Sequence, residues 1–267
     1  MSLPQCQELL LNEQQGVLFV TLNRPHKRNA MNIALVEELM AIFEAIDLRR
    51  DIRAVVLRGA DGNFCAGGDI SGMNKEGLDE AGAARATWEF NRIFGRMITQ
   101  VNRAPQLVVT LLEGAVLGGG FGLACISDVA IADRQARFAM PETGLGIVPA
   151  QIAPFVVSRI GLTQARRLAL LGERLDGEAA HQLGIAHYLS DGAEHMQRQL
   201  AAVLKKLKRC APAANAATKQ LLLDVGQVEL EQLLDRAADD FCAALRGDEG
   251  QEGTRAFLEK RAPHWAQ

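Results

Sequence analysis

Three short segments carry residue types suited to chemistry at a carbonyl group. Phe64-Cys65-Ala66-Gly67-Gly68-Asp69-Ile70 is a small-residue turn that comes after an apolar run. Glu113-Gly114 through Gly118-Gly119-Gly120 comes after another, and it also opens an apolar helix. Glycine lets a backbone approach a ligand with no Cβ in the way. The free N–H groups of a helix N-terminus favour an anionic oxygen. Two such turns aimed at one oxygen would make an oxyanion hole, in which each donor is worth about 2.7–4 kcal/mol. The triple glycine fits a helix packed closely on a strand equally well, and spacing alone leaves both readings open. The third segment, Phe138 to Pro149, holds Glu142 among Met140, Leu145, Ile147 and Val148. A lone loop glutamate is ordinarily a solvated carboxylate. Burial among these apolar neighbours would instead tune it for proton transfer.

Other chemistries lack their residues. No Gly-Lys pair exists for a phosphate-binding loop, and residues 114–123 do not meet the dinucleotide pattern GxGxxG. No GxSxG elbow is present. The histidines His26, His181, His187, His195 and His264 form no metal-ligand set, so no metal is expected. The 5 cysteines are odd in number, widely spaced and without a CxxC, which supports no disulfide framework. The net charge is −3, giving no general attraction to nucleic acid or anionic lipid. No apolar run reaches the roughly 18 residues of a membrane span. Met1 to Gln15 reads as neither a signal nor a transit peptide, and a cytoplasmic location is expected.

The elements that must position these residues are legible from hydrophobic period. Of the 267 residues, 48% are hydrophobic, enough to bury a core. Strands are predicted at Val17–Leu22, Ala54–Leu57, Leu107–Leu112 and Asp128–Ala132. Asn32 reads as the N-cap of a helix over 33–48. Phe90, Phe94, Met97, Ile98 and Val101 mark a helix that ends before Pro105. Phe138–Pro149 reads as a loop. Beyond residue 150 helical stripes dominate, as in Leu230, Leu233, Leu234, Ala237 and Phe241. The expectation is an α/β core over 1–195 and a helical region over 196–267.

Together these residues resemble the enoyl-CoA hydratase/isomerase family, the crotonase superfamily. The resemblance runs through Leu22-Asn23-Arg24-Pro25 with Asn29-Ala30-Met31-Asn32, and through the two glycine turns. It continues through Ser127-Asp128-Val129-Ala130-Ile131-Ala132, Phe138 to Pro149, and Glu252-Gly253 with Phe257-Leu258-Glu259-Lys260-Arg261. It implies a spiral of ββα units and then a helical trimerisation region, in a homotrimer or a dimer of trimers. It implies an acyl-CoA thioester as partner, with coenzyme A part of the substrate and no separate cofactor. Nucleic acid and membrane are not expected as partners. Matched by position, the N–H groups of Gly68 and Gly119 would polarise the thioester carbonyl. Ala66, Asp69 and Ile70 would line the adenine pocket through backbone atoms. Lys27 and Arg28, with Ala30 beside them, occupy the segment that often meets the CoA phosphates, although a solvated turn reads the same way. Phe241 and Lys260 match positions that reach CoA from the C-terminal region.

One departure matters. Two-glutamate hydratases of this family carry a first Glu two residues beyond the triple glycine, where this chain has Gly122. Only Glu142 remains. Hydration by one carboxylate is the leading expectation, with Gly122 leaving extra room for a β-branched acyl group. Δ3,Δ2 double-bond isomerisation needs the same single carboxylate. Decarboxylation of a related thioester is a weaker option. A non-catalytic acyl-CoA-binding protein is a further alternative, against which the retention of Gly68, Gly119 and Glu142 counts. Gly118–Leu123 with Val148–Val157 is similar to hydratases of the 3-methylglutaconyl-CoA and isohexenylglutaconyl-CoA kind. Such substrates are β-branched and carry a carboxylate.

Overall fold

A computed structural model of the chain describes residues 3–69 and 79–266. It begins with a hairpin of β1 (Leu9–Gln14) and β2 (Val17–Leu22), paired antiparallel. The turn needs two positive φ angles, +49° at Gln15 and +75° at Gly16, as a two-residue hairpin turn demands. β1 opens on Leu9-Leu10-Leu11 but buries only Leu9 and is otherwise mostly solvated, so its pairing with β2 rather than its own pattern makes it a strand.

The chain then winds in repeated turns. Each turn lays one strand in a large sheet, one segment in a second layer, and then a helix. The large-sheet strands are β2, β3 (Ala54–Gly59), β4 (Leu107–Leu112) and β6 (Val129–Asp133), parallel and side by side in chain order. The second-layer segments are Met31, Cys65 to Gly68, β5 (Ala115–Leu117) and β7 (Arg137–Ala139). They too run parallel, joined by Met31 with Gly68, Cys65 with Val116, and β5 with β7. The helices closing the turns are α1 (Ile33–Ile46), α2 (Glu80–Arg103), α3 (Gly119–Ile126) and α4 (Ala153–Leu171). This is the spiral of ββα units that the resemblance implies. Asn32 caps α1 as expected, its Oδ1 accepting the Leu35 N–H at 2.9 Å.

Strand alternation sorts the core. Val55, Leu57, Val108 and Leu112 face the helices of the spiral. Ala54, Val56, Val109, Leu111 and Ile131 face the opposite way, against Met196, Leu200, Val203 and Leu207 of α6 (Ala193–Leu207). The expected boundary at residue 195 falls inside this helix, which covers the sheet. Two short strands also interrupt the helical stripes beyond residue 150: β8 (Arg174–Asp176), antiparallel to β7, and β9 (Tyr188–Ser190), parallel to β6, with α5 (Gly177–Gln182) between them. α7 (Pro212–Leu223), α8 (Leu230–Arg246) and α9 (Asp248–Leu258) complete the chain's helices. The predicted stripe on α8 is helical, yet only Leu233 of it is buried; Leu230, Leu234 and Phe241 are exposed.

A polar lock fixes the spacing of the first two turns. Asn29 is fully buried with φ +57°, a conformation asparagine tolerates better than most residues. Its Oδ1 accepts the Arg24 N–H at 2.9 Å, and its Nδ2 donates to the Ala60 and Asn63 carbonyls at 2.8 and 2.6 Å. The loop after β2 is thereby tied to the loop after β3. Asn29→Ala strands these three backbone partners and should cost about 2–3 kcal/mol. Chemical denaturation checks this as a lower midpoint at an unchanged slope.

Candidate active site

The second-layer strands deliver the site. Cys65 N–H donates to Ala115 O at 2.8 Å and Leu117 N–H to Cys65 O at 2.9 Å, while Leu117 pairs with Ala139. Three segments therefore end side by side, and each runs on into a glycine turn or into Glu142. On one side Met31 N–H donates to Gly67 O, and Asp69 N–H to Met31 O, both at 2.8 Å. In a parallel pairing these bonds use the groups flanking Gly68. The Gly68 N–H is left without a partner among the described residues. On the other side Gly118 N–H is held by Ala139 O at 3.0 Å. Gly119 starts α3, and its N–H has no partner among the described residues either. The partial positive charge of the helix start adds to that donor.

The two glycine turns touch. Gly67 has φ +104° and Gly118 φ +49°, and a Cβ on Gly118 would lie 3.6 Å from the Gly67 Cα. Beside them lies a cavity of about 190 Å³, lined in part by Gly68, Gly119, Phe94, Glu142, Ile147 and Ile152. Glu142 opens a one-turn 3₁₀ helix after Pro141. One carboxylate oxygen, Oε1, sits 2.9 Å from where a Gly118 Cβ would be, so only glycine at 118 admits it. The other, Oε2, is buried and has no hydrogen-bond partner among the described residues. Burial pushes the Glu142 carboxyl above its ordinary range. A partnerless, half-buried carboxylate facing two spare amides is equipped to take and return a proton beside a developing oxyanion.

The remaining glycines resolve the ambiguity of the triple-glycine run. A Cβ on Gly120 would come 2.6 Å from Cys65 O, so that glycine serves close packing of α3 on the neighbouring segment. Gly122 corrects an expectation. It leaves no extra room for a β-branch. A Cβ there would meet Ile152 Cγ2 at 2.4 Å and Ile98 Cδ1 at 3.0 Å, so these two isoleucines fill the space next to it. Ile152 lines the cavity, and nothing in the glycine pattern announces it.

Ala66 joins Gly68, Gly119 and Glu142 at the cavity wall. Its N–H is spent on Arg28 O at 3.0 Å, and the Asp69 N–H on Met31 O, so neither amide is open to adenine. The Asp69 carboxylate pairs with the buried Arg24 guanidinium at 2.9 Å, a structural ion pair. Lys27 and Arg28 are exposed on the turn after β2, Phe241 is exposed on α8, and Lys260 is exposed in the turn after α9. Ala30 is half-buried, its carbonyl taken by Arg24 Nη1. None of these five lines the cavity. Ile70 lies outside the described residues. The cavity-lining helix α2 supplies Phe90, Asn91, Ile93 and Phe94, and residues Leu145 to Ile152 form the facing wall. Among the described residues no group of three His, Cys, Asp or Glu is placed to hold a metal ion.

The raised Glu142 carboxyl has a signature in stability. The folded chain binds its proton more tightly than the unfolded chain, so the stability of the native protein relative to Glu142→Gln falls as pH rises through the carboxyl's titration, then levels. Denaturation of both proteins from pH 4 upward measures the difference. A gap that widens in the opposite sense would remove the buried-carboxylate assignment.

Comparison with known proteins agrees with this architecture. The profile of the family described as enoyl-CoA hydratase/isomerase matches residues 12–267. The structure of Pseudomonas aeruginosa AtuE is 56% identical, with a TM-score of 0.92 over 98% of this chain and 100% of that one. That of an enoyl-CoA hydratase/isomerase from Marinobacter aquaeolei is 52% identical, with a TM-score of 0.94 over 98% of this chain and 100% of the other. The 2,3-dehydroadipyl-CoA hydratase of Escherichia coli (strain K12) is 33% identical over 96% of this chain and 97% of its own. Profile, sequence and fold agree along nearly the whole length: the chain belongs to the enoyl-CoA hydratase/isomerase family and has the crotonase fold.

Proposed function

We propose that this protein is an enoyl-CoA hydratase that works with one carboxylate. The observation that carries the reading is the unpartnered Oε2 of Glu142, buried beside the free amides of Gly68 and Gly119. The thioester oxygen of a 2,3-enoyl-CoA accepts from those two amides. Glu142 takes a proton from a water molecule, whose oxygen adds to the β carbon. The C2–C3 π electrons move toward the thioester, and negative charge collects on the oxygen that the amides hold. Glu142 then returns the proton to the α carbon, so the product is the enoyl thioester plus one water. The amides bind the charged intermediate better than the neutral substrate, which is the condition for lowering the barrier.

The substrate class proposed is a β-branched glutaconyl-type thioester, such as 3-methylglutaconyl-CoA or isohexenylglutaconyl-CoA. The likeness in Gly118–Leu123 and Val148–Val157 supports it. So does the relative named for 2,3-dehydroadipyl-CoA, whose acyl group also ends in a carboxylate. Lys27, Arg28, Ala30, Phe241 and Lys260 are proposed to meet the nucleotide half of CoA outside the cavity, along with the Ala66 carbonyl.

A single carboxylate equally suits Δ3,Δ2 isomerisation, in which Glu142 carries one proton between carbons and no water enters. Product mass separates the two. Incubation with straight, branched and carboxylated enoyl-CoAs should give a product heavier by one water. Deuterium uptake without that gain would replace hydration by isomerisation. Glu142→Gln should lower turnover by about 10²- to 10⁴-fold. Its affinity for CoA thioesters should stay near that of the native protein, as read by calorimetry. The acid limb of the pH–rate profile should lie above the ordinary glutamate value of 4.5, because the base works only when ionised.

A homotrimer or a dimer of trimers is also proposed. The support is the large apolar side chains left in solvent on α8 and α9: Phe241 at 67%, Phe257 at 82% and Leu258 at 79% exposure. Sedimentation at micromolar concentration should give the mass of 3 or 6 chains; a monomer would end this proposal.

A further inference from the structure

Where α2 meets the Leu145 to Ile152 wall, a seam of three contacts closes one side of the cavity. At its inner end Ile98 and Ile152, both buried, come together over Gly122. One turn earlier on α2 stands Gly95, also buried. A Cβ there would lie 1.9 Å from Gln151 Oε1 and 2.8 Å from Gln151 Cδ, so the Gln151 side chain lies in a notch that only glycine leaves on this helix. One turn earlier again, Gln151 Nε2 donates to Asn91 Oδ1 at 2.7 Å. Asn91, Gly95 and Ile98 share one stripe of α2, since residues three and four apart lie on one face. Asn91, Gln151 and Ile152 all line the cavity. Gln151 is half-buried and Asn91 exposed, so their bond stands at the outer edge of the seam. The two ends differ in strength. Apolar packing holds the inner one, whereas a single hydrogen bond open to water favours the closed form only a few-fold.

We propose that Gln151, seated in the Gly95 notch and tied to Asn91, limits the length of acyl chain that the cavity accepts. This rests on the reading of the cavity as an acyl-thioester site. The Phe94 ring lies 3.1 Å from where a Gly119 Cβ would be, so α2 passes close to the amide that would hold the thioester oxygen. Asn91 stands one helical turn before Phe94, about 5 Å along the axis. An extended alkyl chain covers that distance in about four bonds, so a straight acyl group of up to about six carbons stays inside the bridge. A longer one running along α2 has to part it.

Calorimetry with butyryl-, hexanoyl-, octanoyl- and decanoyl-CoA reads the limit without chemistry. In the native protein affinity should rise from butyryl to hexanoyl by about fourfold per methylene. It should then fall about 3- to 10-fold at octanoyl, the cost of parting the bridge. Gly95→Ala puts a methyl group where Gln151 Oε1 lies and turns that flexible side chain out without removing it; the other near atom, Arg92 Nη1 at 2.7 Å, is also the end of a flexible side chain. The fall at octanoyl should vanish in this variant, and equally in Gln151→Ala and Asn91→Ala. Asn91→Asp keeps an acceptor for Gln151 Nε2 and should keep the limit. A merely structural role would move the denaturation midpoint and leave the chain-length profile alone. A native affinity that keeps rising through decanoyl would overturn the proposal, and is the result expected if long chains leave past the exposed Leu145 and Val148. Variants that keep the native profile would overturn it too. Binding of none of the four would remove the limit together with the acyl-thioester reading. If the profile behaves as expected while no enoyl-CoA gains water, hydration fails and the limit stands.

Discussion

The in-register pairing of three second-layer segments governs this molecule. Cys65, Val116 and Phe138 lie on adjacent parallel segments, and each segment ends at the same level of the spiral. Shift that register by one residue and every side chain changes face. Here the register brings Gly67 against Gly118 and sets the Glu142 carboxylate on the Gly118 Cα. The geometry of the candidate site thus depends on backbone hydrogen bonds well inside the fold, with the candidate groups hanging from strand ends as in other parallel α/β proteins.

The glycines divide the work between packing and chemistry. At Gly118 the absent Cβ admits a carboxylate, and a φ of +49° turns the next amide into the cavity. At Gly120 and Gly122 the absent Cβ admits a backbone carbonyl and an isoleucine. Those two roles sit within one run of small residues. They cannot be told apart by composition, because each depends on what the neighbouring turn of the spiral places opposite. Ile152 shows the consequence. It arrives from the start of α4, far along the chain, and fills the space beside Gly122. Among the described residues Glu142 is then the one acid that lines the cavity, against an apolar wall.

The polar elements outside the cavity act on the same geometry. Arg24 and Asn29 belong, in the sequence, to a segment that carries the family resemblance. In the fold they are buried and spend their hydrogen bonds on Asp69, Ala30, Ala60 and Asn63. Their function is positional: they hold the first turn of the spiral against the second, and so hold Met31 beside Gly68.

By itself the sequence determined the strands Val17–Leu22 and Leu107–Leu112, the Asn32 cap, the helical character beyond residue 150 and the family likeness. These come from local period and from residue types that only certain backbones accept. Through the family likeness it also marked Gly68, Gly119 and Glu142 as a set, on two glycine turns and one acid among apolar residues that left other readings open by themselves. Tertiary structure alone decided the rest. The place of α6 beneath the sheet and the crowding at Gly122 depend on partners distant along the chain, and the edge strand β1 on its hairpin partner. Hydrophobic period records which face of an element is buried. It carries no record of what that face meets, and the chemistry of this site is decided by what meets what.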